Sequence, residues 1–175
     1  MPAPTRTLVL GGARSGKSAF AENLLTDAPT VRYLATAVHD PADHDFADRI
    51  ALHRDRRPAH WTTVENTEPA TVLATASAAT LLDDIGTWLT ARLDTRNAWD
   101  APRGTVAPDC AALVEAVDAY RERLVIVSPE VGMGIIPATR SGRLFRDEIG
   151  TLNQQLARVC DEAYLIVAGL PLRLK

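Results

Sequence analysis

The sequence lacks the features that mark secreted, membrane-spanning and nucleic-acid-binding proteins. Its two cysteines, Cys110 and Cys160, are too few for a disulfide framework, and we expect reduced, part-buried thiols in a cytoplasmic protein. No apolar run approaches the ~18 residues of a membrane span, and the start MPAPTRTLVL lacks the apolar core of a signal peptide. With 19 basic and 22 acidic residues and a formal net charge of -3, the chain has no overall attraction for nucleic acid or an anionic membrane.

Length and composition are those of an ordinary globular protein. The 175 residues, 46% hydrophobic and 23% charged, predict a single domain over residues 1–175 that needs no disulfide or metal to hold its core. Near-continuous apolar runs predict parallel strands covered on both faces. These runs are Thr7–Leu10, Val31–Ala37, Trp61–Glu65, Ala79–Asp83, Leu124–Ser128 and Tyr164–Val167. Helical stretches between them favour an α/β doubly wound fold.

The helices are predicted over Lys17–Leu25, Pro41–Arg56, Pro69–Ala78, Gly86–Asp94, Asp109–Arg123 and Arg143–Cys160. The last helix has an apolar stripe at helical spacing, which we expect to face the sheet. The stripe consists of Phe145, Ile149, Leu152, Leu156 and Val159. Arg143, Arg146 and Asn153 lie off this stripe, and a role in substrate binding, subunit contact or solvation stays open for them.

A glycine-rich loop follows the first predicted strand and precedes the first predicted helix. Its residues are Gly11, Gly12, Ala13, Arg14, Ser15, Gly16, Lys17 and Ser18, a full match to G-x-x-x-x-G-K-[ST]. Glycines let successive backbone N–H groups turn towards anionic oxygens, and the helix presents its positive end to the same place. We therefore expect Lys17 to reach the β- and γ-phosphates of a nucleoside triphosphate and Ser18 to bind Mg²⁺.

An acidic residue ends the predicted strand ATLLD. Asp83 stands where P-loop enzymes place a carboxylate that holds Mg²⁺. Its neighbour Asp84 is a rival for this role, and an ordinary acid at a strand end remains the alternative. The loop and this acid together indicate a nucleoside triphosphate but leave kinases, motors and switches open.

A histidine lies between two arginines in the stretch RIALHRDRRPAHW. Arg49 and Arg57 are each four residues from His53, so the three side chains share one face of a predicted helix. Two guanidinium groups disfavour the imidazolium and lower the histidine pKa. A neutral imidazole is a competent nucleophile, and the arginines suit phosphate oxygens. A solvated basic helix face is the alternative, whereas His60, beyond Pro58, is expected to be structural.

These motifs resemble those of the adenosylcobinamide kinase/adenosylcobinamide-phosphate guanylyltransferase family. The stretches GGARSGKS, YLATA, RIALHRDRRPAHW, LLDDIGTWL, EVGMGIIP and FRDEIGTLNQ follow in the family's order, from Leu8 to the terminal YLIVAGLPLRLK. Two stretches depart from the family pattern. Pro129 stands where asparagine is usual, and Asp84-Ile85-Gly86 replaces a Cys-Leu-Thr-like run.

The resemblance implies a P-loop NTPase-like (RecA-like) fold and two successive reactions. Adenosylcobinamide is phosphorylated by ATP or GTP, and His53 then accepts GMP from GTP and passes it to adenosylcobinamide phosphate. The resemblance also implies that two acids at strand ends, Asp83 and Glu130, bind Mg²⁺. The loop Val131–Gly134 would adjoin them. Glu65 is assigned to the nucleotide together with the two arginines, and a homotrimer is implied.

Two other functions remain open from the sequence. One is a P-loop small-molecule kinase without the guanylyl step. The other is a nucleotide-dependent module of the recombinase type, which requires a basic nucleic-acid surface that the charge balance does not favour.

Overall fold

The computed structural model describes residues 5–37, 58–75 and 78–175. Their strands form one seven-stranded sheet in the order β3-β2-β4-β5-β1-β6-β7. The strands are β1 (Arg6–Gly11), β2 (Val31–Ala35), β3 (Trp61–Val64), β4 (Ala79–Asp83), β5 (Leu124–Pro129), β6 (Glu162–Val167) and β7 (Leu170–Arg173). All pairings are parallel except that of β6 with β7. The predicted mostly parallel α/β sheet is thus confirmed.

Each of the predicted strands is present, with ends shifted by at most two residues. The last strand, β7, was not predicted. It pairs antiparallel with β6 so that Pro171 lies opposite Ile166. A proline inside a short apolar run argues against a central strand, but β7 lies at the edge of the sheet, where one side of the strand needs no partner.

The described residues form five helices between the strands. They are α1 (Lys17–Asn23), α2 (Pro69–Ala74), α3 (Ile85–Thr95), α4 (Ala107–Ala119) and α5 (Arg140–Val159). Side chains cap two of them: Asp84 accepts a hydrogen bond from Thr87 N at the start of α3, and Thr139 accepts one from Gly142 N at the start of α5. The predicted helix Pro41–Arg56 falls outside the described residues.

The sheet separates two hydrophobic clusters because neighbouring strand residues point to opposite faces. Leu8, Leu82 and Ile126 belong to a cluster that includes residues of α2, α3, α4 and α5. Val9 and Leu81 belong to a second cluster with Ala21 of α1. Helices thus cover both faces of the sheet, as the doubly wound prediction requires.

The stripe predicted on α5 does face the core. Ile149, Leu152 and Leu156 are at most 1% exposed, and Phe145 and Val159 pack against the same cluster. Asn153 is buried although it is not one of the residues of this stripe, so solvation, one of the three roles left open for it, is wrong. Its exposed fraction is 6%, because the amide bonds to β5 as described below.

Both cysteines are free and buried. Burial is the main cause that raises the pKa of the Cys110 thiol and of the Cys160 thiol to about 12. The expectation of reduced thiols agrees with this state. None of the helices within residues 5–37, 58–75 and 78–175 has the length and apolar character needed to cross a bilayer.

Candidate functional site

The carboxyl ends of three adjacent parallel strands bring the predicted loop and acids to one edge of the sheet. β5 lies between β4 and β1, and Pro129 pairs in register with Gly11. Asp83 ends β4, Glu130 follows β5, and the glycine-rich loop follows β1. Ligand sites of open α/β sheets form at this edge. We call it the carboxyl edge below.

The glycine-rich loop has the backbone geometry that its sequence predicts. Gly16 has φ of 91° and forms the left-handed residue immediately before α1. A Cβ at Gly11 would collide with Ser15 Oγ and lie 3.1 Å from Ile166 O, so a larger residue where the loop closes on β1 would have to displace the Ser15 side chain. Arg14 also has a positive φ, 55°. Non-glycine residues in this conformation are uncommon and cluster at functional sites.

Polar side chains of the loop have few partners within the protein. Lys17 Nζ donates to Gly12 O across the loop at 3.2 Å. Among the described residues, Ser15 Oγ has no hydrogen-bond partner and is buried, which is costly unless a ligand supplies one. The loop therefore offers a cation, a buried hydroxyl and turned backbone groups to an anion.

The turn between β6 and β7 packs against the loop from the other side. Gly169 N donates to Ser15 O at 2.8 Å, and a Cβ at Gly16 would lie 3.2 Å from Gly169 Cα. This contact fixes the Ser15–Gly16 peptide relative to the sheet. Sequence reasoning missed it because β7 was not predicted, although the Ala-Gly pair at residues 168–169 is a turn signal.

The structure separates the roles of the two adjacent aspartates. Asp84 Oδ1 accepts from Thr87 N at 2.8 Å and caps α3. Asp83 Oδ2 instead accepts from Tyr33 OH at 2.7 Å, and Tyr33 is only 3% exposed. The tyrosine orients the Asp83 carboxylate at the carboxyl edge, whereas the Asp84 carboxylate is engaged in capping α3.

Glu130 lies directly beside the start of the glycine-rich loop. Its backbone N donates to Gly11 O at 3.0 Å, which extends the pairing of β5 with β1. Its side chain turns forward, so that Oε1 accepts from Gly132 N at 2.5 Å. The loop that follows is open to solvent, with Val131 40% and Met133 74% exposed.

The remaining predicted residues are not brought to the loop by the described structure. Glu65 follows β3 at the far end of the sheet and is exposed. Four strand spacings, about 19 Å, separate β3 from β1. His53, Arg49 and Arg57 lie outside the described residues.

The donors at this edge suit magnesium. Ser18, Asp83 and Glu130 supply a hydroxyl and two carboxylates, the hard oxygen ligands that Mg²⁺ prefers. Across the three described ranges, no three His, Cys, Asp or Glu side chains form a group able to hold a metal. This combination fits an ion held by one or two carboxylates and a hydroxyl together with substrate phosphates.

Comparison with known proteins identifies close relatives over nearly the whole chain. Residues 7–174 match the family model CobU, described as cobinamide kinase / cobinamide phosphate guanyltransferase. The bifunctional adenosylcobalamin biosynthesis protein CobU of Salmonella typhimurium is 41% identical over 96% of this chain and 98% of its own. CobP of Pseudomonas aeruginosa, described in the same words, is 40% identical over 97% of both chains.

Among solved structures, the fold is similar to that of an ATPase from the type III secretion system of pathogenic bacteria. The TM-score is 0.55 at 14% sequence identity, and the match covers 93% of this chain and 51% of the ATPase. At this identity the likeness concerns the fold, and this chain corresponds to about half of the ATPase. The predicted P-loop NTPase-like architecture agrees with it.

Proposed function

The chain belongs to the cobinamide kinase/cobinamide phosphate guanyltransferase family of transferases, and we propose that it catalyses both reactions. It phosphorylates adenosylcobinamide with a nucleoside triphosphate, ATP or GTP, and then transfers GMP from GTP to adenosylcobinamide phosphate. The observation that carries the proposal is the family match over residues 7–174. The glycine-rich loop at the carboxyl edge supplies the physical support.

In the phosphorylation step, the loop binds and orients the triphosphate. Backbone N–H groups of the loop and the N-terminus of α1 face the phosphate oxygens, apart from the Ser15 N–H, which donates to Gly12 O. Lys17 exchanges its own bond to Gly12 O for the β- and γ-phosphates. Bound Mg²⁺ neutralises charge that develops on the transferred group. Ser18, Asp83 and Glu130 are its proposed ligands, and Tyr33 keeps the Asp83 carboxylate in place.

In the guanylyl step, His53 is the proposed nucleophile. An imidazole nitrogen forms a bond to the α-phosphorus of GTP, and the bond from that phosphorus to the pyrophosphate oxygen breaks. The phosphate of adenosylcobinamide phosphate then attacks the same phosphorus and releases the histidine, giving adenosylcobinamide-GDP. Covalent catalysis divides one difficult displacement into two easier ones. Arg49, Arg57 and Glu65 are assigned to the nucleotide on the same resemblance.

Labelling with GTP carrying a radioactive α-phosphate tests this assignment. We expect the wild type, incubated with Mg²⁺ and then denatured, to retain acid-labile label, and His53→Ala to retain none. His60→Ala is the matched control, since His60 lies exposed in the turn before β3 and should label like the wild type. Absence of label, with cobinamide-dependent release of ADP or GDP, would leave a kinase without the guanylyl step. Hydrolysis stimulated by DNA would indicate the recombinase-type module.

The C-terminal hairpin supports a homo-oligomer, which the family resemblance specifies as a trimer. Val167, Leu170, Leu172 and Leu174 are 55–72% exposed on the edge strand and its flanks. Exposed apolar groups on an edge strand are typical of an interface. We include cytoplasmic location and the absence of a nucleic-acid partner in the proposal. Sedimentation of the purified chain, with Leu170→Asp and Leu172→Asp, measures the oligomeric state.

A further inference from the structure

Helix α5 directs two polar side chains at the chain segment that carries Glu130. Asn153 and Arg146 lie seven residues apart in α5, so they stand two turns apart on one face of the helix. Asn153 contacts the end of β5, and Arg146 contacts the loop after it. Neither side chain has a role in the reaction scheme above.

Asn153 binds two consecutive residues of β5 with both ends of its amide. Its Oδ1 accepts from Ser128 Oγ at 2.5 Å, and its Nδ2 donates to Pro129 O at 3.1 Å. Ser128 is fully buried and Asn153 is 6% exposed. The buried amide thus uses its oxygen and one of its two N–H donors, and this geometry defines where the carbonyl of Pro129 points.

Arg146 holds the next part of the same segment. Its guanidinium donates to Gly132 O at 2.6 Å, while Gly132 N donates to Glu130 Oε1 at 2.5 Å. Glu130 N is bound to Gly11 O in the glycine-rich loop. Residues on both sides of Glu130 are therefore tied to α5, and Glu130 itself is tied to the loop.

Packing alone does not account for an amide at position 153. The buried face of α5 is already formed by Ile149, Leu152 and Leu156, and an apolar residue between them would avoid the cost of burying an amide. A buried polar group that is hydrogen-bonded through both its oxygen and its nitrogen instead specifies one arrangement of the groups it contacts. Here those groups are the backbone and hydroxyl immediately before Glu130.

We propose that Asn153 and Arg146 are positioning residues, which hold the Glu130 carboxylate beside the glycine-rich loop for the nucleotide and its metal. The inference rests on the proposed function only for the role of Glu130. The placement itself depends on contacts within the protein. Asn153 acts chiefly through Pro129 O, since Ser128 is one residue further from Glu130.

The test compares variants in the nucleotide-free protein and in the enzyme. We expect Asn153→Ala to raise the hydrogen-exchange rate of the Gly132 amide at least tenfold without nucleotide. The reason is that the amide no longer keeps its hydrogen bond to Glu130 Oε1. The same variant should lower kcat of the phosphorylation step by about 10- to 100-fold, the loss expected for a misplaced group. ATP affinity in EDTA should change less than twofold. Ser128→Ala should show much smaller changes, and Arg146→Met should resemble Asn153→Ala.

Tyr120→Phe is the matched control at the opposite edge. Tyr120 is 4% exposed and bonds the buried Thr80 and the carbonyl of Ala78, so its loss also removes buried hydrogen bonds. It should lower the melting temperature but leave exchange at Gly132 and kcat unchanged. Equal losses in Asn153→Ala and Tyr120→Phe at matched stability would overturn the proposal, as would unchanged exchange at Gly132 in Asn153→Ala.

Glu130→Gln separates this inference from the proposed function. If Glu130→Gln retains wild-type kcat and magnesium dependence, Glu130 has no role in the reaction. Faster Gly132 exchange in Asn153→Ala would then still support the positioning of residues 130–132 by α5. If Glu130→Gln is inactive and Asn153→Ala is fully active, the positioning inference fails while the role of Glu130 stands.

Discussion

The two edges of the sheet use their polar groups in opposite ways. At the amino edge, where β1, β5 and β6 begin, Arg6 binds Asp118 and Asp161, and Arg123 binds Asp27. These five charged groups are paired with each other. At the carboxyl edge, by contrast, Ser15 Oγ is buried with no partner among residues 5–37, 58–75 and 78–175, and Lys17 makes one long bond to a carbonyl of the same ranges. Arg32 Nε and Trp61 Nε1, near the starts of β2 and β3, are also buried without a partner among the described residues. What distinguishes the carboxyl edge is that its unpartnered hydroxyl and its lysine lie in one glycine-rich loop, where we propose that phosphate binds.

The two lysines of the chain also differ in how many hydrogen bonds their ammonium groups donate at the two edges. Lys175, at the amino edge, donates to the carbonyls of residues 157, 158 and 160 at 3.1, 3.4 and 2.6 Å. Within the part of the chain that the structure describes, Lys17 donates to Gly12 O alone, at 3.2 Å. Three carbonyls around one ammonium hold the C-terminus to α5, whereas a single contact within a loop is readily exchanged for phosphate oxygens.

The largest effect is expected from Lys17→Met. Removing the ammonium from the loop should lower kcat/KM of the phosphorylation step by about 10²- to 10³-fold, because its charge compensates that of the transferred phosphoryl group. Steady-state kinetics with adenosylcobinamide measure it. The melting temperature should stay close to that of the wild type, since Lys17 holds no other element of the fold.

Lys175→Met is the control for this variant. It should cost about 1 kcal/mol of unfolding free energy and leave kcat/KM unchanged. Comparable losses of activity in both variants would mean that the two edges do not divide binding and stability as described.

A smaller effect is expected where the two departures from the family pattern meet. A Cβ at Gly86 would lie 2.7 Å from Pro129 Cγ, so the proline ring occupies space that a larger residue at position 86 would need. Gly86→Thr should therefore cost about 1–3 kcal/mol of unfolding free energy through overpacking. Denaturant unfolding measures the loss.

A double-mutant cycle sharpens this prediction. Gly86→Thr should cost less in a Pro129→Asn background than alone, with a coupling of about 1 kcal/mol, because the ring is gone. Because Pro129 adjoins Glu130, Gly86→Thr alone should also lower kcat. Strict additivity of the two changes would show that positions 86 and 129 do not share this space.

The smallest effect is expected at the amino edge. Arg6→Ala should cost about 1 kcal/mol of unfolding free energy at pH 7 and should not change kcat/KM. The hydrogen bond from Arg6 is the main cause that lowers the pKa of Asp161. The stability that the Arg6–Asp161 interaction contributes is therefore present above the ordinary Asp pKa of about 4. It is lost as pH falls through the lower pKa of Asp161 in the folded state.

Denaturant unfolding from pH 7 to pH 2 checks this dependence. The difference between wild type and Arg6→Ala should shrink below pH ~4. A difference that stays constant over this range, or a fall in kcat/KM, would contradict the assignment of the amino edge to stability.

The strands and the glycine-rich loop were predictable because their signals are local. Apolar runs such as Leu124–Ser128 lie in a sheet buried on both faces, so nearly every position is apolar. The strand β7 was missed because Pro171 disfavours a strand, and only its place at the edge makes that residue acceptable. Asn153 does not belong to the apolar stripe because its side chain is polar. Hydrophobic periodicity alone does not show that Ser128 Oγ and Pro129 O form hydrogen bonds with it.

The amino acid sequence alone determined the α/β class, the order of the strands along the chain, the glycine-rich loop and the family. These follow from residue type and short spacing, which act within one element or one turn. The tertiary structure decided which of Asp83 and Asp84 accepts a hydrogen bond from Tyr33. It also decided that the β6–β7 turn packs against Ser15 and that Asn153 forms hydrogen bonds with the end of β5. Each of these depends on groups distant in the chain that meet only when the sheet is assembled.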